Sequence, residues 1–179
     1  SYYVNVRAVD NAANTSSVTS SNGQDVLPTI SMSLSTTTLT FATLTGANDR
    51  SDTKTVTTTA STNGYGGYVI RQYASAVLTA GGYTIPMFSA GTYASPASWP
   101  AGACSGSTCG YGYTSNDTTI QGVNLFSSGT LYAPFTTTAL GDIVADHTAN
   151  VDGATGAVVN EQFTITHKVA VDTLQAAAS

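Results

Sequence analysis

Cys104 and Cys109 are the two cysteines of this 179-residue chain, and only Ser-Gly-Ser-Thr separates them. The run Gly-Ala-Cys-Ser-Gly at 102–106 imitates a nucleophile elbow with Cys104 as the nucleophile. That motif needs a strand-to-helix turn and a histidine partner, and no helical pattern follows. Cys109 offers simpler chemistry: a disulfide that closes a short surface loop, a bond that persists in oxidising compartments. His147 and His167 complete a set of two Cys and two His, but without the compact paired spacing of a zinc site.

Oxygen-rich clusters are the next candidates. Asp146, Asn150 and Asp152 share one stretch, and Asp10, Asn11 and Asn14 another. Either could offer oxygens to calcium, but neither has the full pattern of an EF-hand loop. Asx turns explain both more simply. An internal Lys–Asn isopeptide bond needs a buried lysine, an Asn or Asp, and an acid whose pKa burial has raised. Lys54 is the better donor, Lys168 alternates away from the apolar face, and Glu161 is the sole glutamate. A solvated lysine is the plainer reading. Tyr83, Tyr93, Trp99, Tyr111 and Tyr113 cluster in the middle of the chain. Such rings would stack on a sugar, fill a partner's groove, or cover a small core of their own. Asn14 and Asn116 fit the N-glycosylation sequon, which matters only in a host with that machinery. No acid pair, triad or metal cluster stands out, so the expectation is a non-enzyme without cofactor.

These residues must be positioned by strands. Tyr2, Val4, Val6 and Ala8 alternate with Tyr3, Asn5, Arg7 and Val9, a two-residue period over Tyr2 to Val9. A weaker strand follows at 16–20. Residues 1–20 therefore read as an arm and 21–28 as a linker, where Pro28 biases Leu27 toward an extended backbone. The main domain spans 29–179. "TISMSLS" alternates Ile30, Met32 and Leu34 with hydroxyls, and "TLTFATL" places Leu39, Phe41 and Thr43 on one face. "TKTVTTTAS" and Tyr68 to Tyr73 are further strands. Residues 80–117 are rich in Gly, Ser, Pro and Tyr and read as a long insertion, with short strands around 83–88 and 111–114. Regular patterning returns in "TIQGVNLF", "TLYAPFTTT" and "DIVAD". In "QFTITHKVAV", Phe163, Ile165, His167, Val169 and Val171 share a face. Helical signal is confined to one turn in "DTLQAAA". Many short strands with turns between them predict an all-β antiparallel sandwich.

Composition narrows the class. Only 8% of residues are charged, 41% are hydrophobic, and the net charge is -5. An acidic chain has no basic face for nucleic acid and none for an anionic membrane surface. No apolar run is long enough to span a bilayer as a helix.

Two resemblances follow. "YYVNVRAVDNAANTS" resembles the end of a fibronectin type III or related bacterial Ig-like repeat. "SMSLSTTTLTFATL", "TKTVTTTASTNGYGGYVI", "GYGYTSND" and "FTITHKVAVDTLQAA" resemble an Ig-like β-sandwich module of exported bacterial surface proteins. The resemblance implies an extracellular, cell-surface protein. It also implies a closing strand after "LQAAAS" that is not seen, and "SYYVNVRAVD" has the character of that strand. Donated to the next copy, Tyr2, Tyr3, Val4, Val6 and Ala8 would form the assembly strand of a head-to-tail filament. A piece of a larger multidomain protein would look the same. The alternative function is a stalk or adhesin module. It would bind a glycan or a surface protein through 80–117, with Tyr93, Trp99, Tyr111 and Tyr113 as contacts.

Overall fold

A computed structural model describes residues 3–23, 25–44, 50–80, 83–101, 103–148 and 157–172. The fold is all-β, and its backbone is a six-stranded antiparallel sheet. Two long strands form the centre: β4 (Ser51–Thr62) and β12 (Val158–Ala170). Both are rich in β-branched residues, which suit a pleated, half-buried surface. Their register sets Ile165 opposite Val56 and Phe163 opposite Thr58. Alternation then sends Val56, Thr58, Ala60, Phe163 and Ile165 to one buried face. A bulge between Val158 and Glu161 interrupts the pairing, where Asn160 takes a φ of 56°.

β3 (Ile30–Leu34) pairs with β4 at one border of this sheet. On the other side β9 (Gly110–Ser115) pairs with β12, β10 (Leu131–Pro134) with β9, and β8 (Ala97–Ser98) with β10. The order is β3-β4-β12-β9-β10-β8. A smaller sheet, β5 (Tyr68–Gln72) with β11 (Asp142–His147), lies over the buried face. Ser115 Oγ donates to the Val144 carbonyl at 2.6 Å, and Tyr113 Oη donates to Asp142 at 3.3 Å, tying the two layers together. Tyr113, Ile120, Phe126 and Val144 are fully buried between them. Burial of such side chains stabilises by roughly 1.5–3 kcal/mol each.

Part of the outer face of the large sheet is covered as well, around Ala170 at the end of β12. Trp99 stacks on Phe88 at 4.2 Å and meets the edge of Tyr132 at 5.3 Å. Lys168 points to this side, its Nζ 5.1 Å from the Trp99 ring. Gly112 makes the close packing feasible, since a Cβ there would lie 2.7 Å from the Ala133 oxygen and 3.1 Å from Trp99. Two short hairpins complete the described strands: β1 (Asn5–Val6) with β2 (Thr19–Ser20), and β6 (Leu78–Ala80) with β7 (Tyr83–Ile85).

Three expectations change. Residues 110–115 are a central strand of the main sheet, so the excursion expected over 80–117 ends earlier. No strand forms over Leu39, Phe41 and Thr43. After β3, Ser35 still bonds the Thr57 carbonyl, and the chain is next pinned where Ala42 donates to the Asp52 carboxylate at 2.7 Å. "TIQGVNLF" is a 3-10 turn, Ile120–Gly122, followed by irregular turns. The helical turn expected beyond Asp172, and Tyr2, lie outside the described residues.

Candidate functional site

The two layers differ in width. Six strands form one, and two strands form the sheet above it. Ser115, Asp117 and Thr119 reach β11 from the β9 side, so β5 lies toward β4 and β3. Among the described residues, β5 pairs with β11 alone and β3 with β4 alone.

Register reveals what this leaves uncovered. Ile30, Met32 and Leu34 stand opposite Thr62, Ala60 and Thr58. Directly paired residues share a face, so all six side chains point toward the smaller sheet. Thr62, Ala60 and Thr58 are 7%, 1% and 1% exposed. Ile30, Met32 and Leu34 are 65%, 56% and 44% exposed. The apolar stripe of β3 therefore faces inward yet stays exposed among the described residues. The result is an open groove of about 290 Å³, lined on its apolar side by Met32, Leu34, Leu39, Val56, Ile70 and Ile165.

The groove also holds polar atoms without partners. Among the described residues, Thr58 Oγ1 and His167 Nδ1 of the groove lining are buried without a hydrogen bond. Native interiors satisfy nearly all such atoms. Burial holds the His167 imidazole neutral, its pKa pushed down to about 4.

The expected assembly strand lies in a hairpin of its own. Ser21 N donates to the Val4 carbonyl at 2.9 Å, and Ser16 N to the Ala8 carbonyl at 2.9 Å. Asp10 ties the turn: its Oδ1 accepts the backbone N–H groups of Ala12 and Asn14, and its Oδ2 accepts the Asn14 amide, all at 2.9 Å. The Asn14 bonds hold the Asp10 carboxyl below its usual pKa. Asp10 and Asn14 thus form an Asx turn. Tyr3, Val4, Val6 and Val9 stay exposed. Ala8 is exposed too.

The remaining candidates fall elsewhere. Cys104 and Cys109 form the disulfide, their Cα atoms 5.0 Å apart. Tyr113 is fully buried, and Trp99 is buried under Lys168 and Phe88. Tyr93 donates its hydroxyl to the Ile143 carbonyl at 3.2 Å, and Tyr111 stacks on Phe135 at 4.5 Å. These four rings serve the interior and leave no shared platform for a sugar. Lys54 pairs with Asp52 at 3.1 Å, while Glu161 instead receives the Tyr68 hydroxyl and His147 Nδ1. The lysine and acid of an isopeptide bond are therefore not brought together. Asn116 accepts the Thr164 N–H at 2.6 Å.

A second, polar cavity of about 330 Å³ is lined by Asp117, Asp146 and Glu161, among others. Among the described residues no group of three or more His, Cys, Asp or Glu is placed to hold a metal ion. Asn150 and Asp152 lie outside those residues.

The resemblance implies an unfilled strand position, but the sequence does not say which residues line it. The alternation of Ile30, Met32 and Leu34 was visible, but nothing in it says that the stripe is uncovered. Comparison with protein-family models, curated proteins and solved structures finds no match to this chain.

Proposed function

We propose that this chain is a structural subunit of an extracellular filament or fibre at a bacterial cell surface. Copies join head to tail when the arm strand of one, residues 2–9, enters the open groove of the next. The observation that carries this reading is the inward-facing stripe of Ile30, Met32 and Leu34, exposed among the described residues, of which Met32 and Leu34 share a groove with β5. An extended segment laid there would gain ladder hydrogen bonds and remove apolar surface from water together. A contact between two different surfaces of identical subunits repeats without closing, which yields a filament. The arm supplies a matching ribbon, since a two-stranded hairpin is marginal in water on its own. The Cys104–Cys109 bond is compatible with an oxidising, extracellular setting. The stalk or adhesin reading is weaker, because Trp99 and Tyr113 lie in the interior.

The test is a deletion of Ser1–Asp10. Sedimentation and negative-stain imaging should show fibres of the full chain. The shortened chain should remain monomeric, with its β-type circular dichroism intact. Equal assembly by both would reject strand donation.

A further inference from the structure

Two open edges border one groove. β5 contributes Ile70, Arg71 and Gln72 to its lining, and β3 contributes Met32 and Leu34. Among the described residues each strand has a single neighbour, β11 and β4 respectively. Stacked sheets lie about 10 Å apart, and neighbouring strands within a sheet 4.7–4.9 Å apart. Two strand spacings therefore equal about one layer spacing. A single strand standing at the open side has the width to reach both edges.

We infer that the incoming strand, Val4–Ala8 of a second copy, pairs with β5 and β3 at once and joins the two sheets into one. This rests on the strand-donation reading above and adds where and how the strand seats. Length agrees, because β3 and β5 are five residues each and Val4–Ala8 is also five. Chemistry agrees as well. With Val4, Val6 and Ala8 turned inward they meet Met32, Leu34 and Ile70. Tyr3, Asn5 and Arg7 then face water, so no charge enters the groove. Thr36, Thr37 and Leu39, which follow β3 and line the groove, wall its Leu34 end.

Such seating has a consequence for the donor. A strand has two edges. If β5 and β3 take both, β1 cannot remain paired with β2. The Asn5–Ser20 and Val6–Thr19 pairs must therefore separate before assembly. Addition of the intact hairpin through one edge would leave those pairs in place.

The two modes separate in one experiment. In the Asn5→Cys/Ser20→Cys variant, an oxidised cross-strand bond locks the hairpin. Two-edge seating predicts that the locked variant stays monomeric and forms fibres once reduced, while the unsubstituted chain assembles equally under both redox conditions. Fibre formation by the locked variant overturns the inference. Amide exchange on fibres of the unsubstituted chain gives a second readout. Protection should rise at least about tenfold over both 30–34 and 69–72. A rise over 69–72 alone overturns the two-edge seating but leaves strand donation standing. No rise over either segment removes strand donation itself.

Discussion

His167 is a base kept neutral by where it sits, with its ring stacked 5.5 Å from Phe135. Burial lowers its pKa from 6.5 to about 4 in the fold. Between those values the unfolded chain binds the extra proton, so stability is full above pH 6.5 and falls as the pH drops toward 4. The loss amounts to about 3 kcal/mol. Urea denaturation at pH 7 and pH 4.5 should show it, and His167→Gln should flatten the dependence. Asp10 and Asp52 are held low by hydrogen bonds, led by Asn14 and Ala42 respectively. Their contribution is lost only below the ordinary carboxylate range. Thr58 tests a different cost. Its hydroxyl is buried without a partner, a state that costs about 1–3 kcal/mol. Thr58→Val keeps the shape and removes the hydroxyl, so it should raise the denaturation midpoint. A clear loss of stability would mean that Thr58 Oγ1 is satisfied in solution.

At the scale of the elements, the two faces of β3 and β12 make a contrast that mutation can read. Phe163 is buried in the core, and Phe163→Ala should cost about 3–5 kcal/mol. Met32 and Leu34 point to the same side of the sheet but are uncovered. Met32→Ser with Leu34→Ser should cost the monomer less than about 1 kcal/mol while reducing assembly. The strands that were legible are the regular apolar or β-branched runs bounded by turn residues: β3, β4, β5, β11 and β12 fall where their patterns placed them. The disulfide was legible too, from the short spacing of its cysteines. The aromatic strand β9 was expected around 111–114, but its place inside the main sheet was not legible. Gly110 and Gly112 break its apolar pattern, yet they are there because Phe88 and Trp99 pack close to the backbone. Leu39 and Phe41 misled in the other direction. Their spacing suits a strand, but the backbone there is held by the Asp52 side chain and not by a ladder. An acceptor groove is illegible in principle from one strand, since it is defined by which neighbour is missing.

The whole molecule is a body open along one side and an arm folded on itself. The described hydrogen bonds of the arm from Tyr3 to Gly23 stay within it, while Leu27 and Thr29 bond the body through the Asn63 side chain. The open side and the Trp99 cluster lie on opposite faces of the large sheet. Trp99 is the single tryptophan of the chain, enclosed by Phe88, Tyr132 and Lys168. Its emission will therefore report denaturation of the body with a red shift, yet stay constant in wavelength while fibres grow. An intrinsic fluorophore that is blind to polymerisation but alert to melting lets the two processes be followed separately in one unlabelled sample.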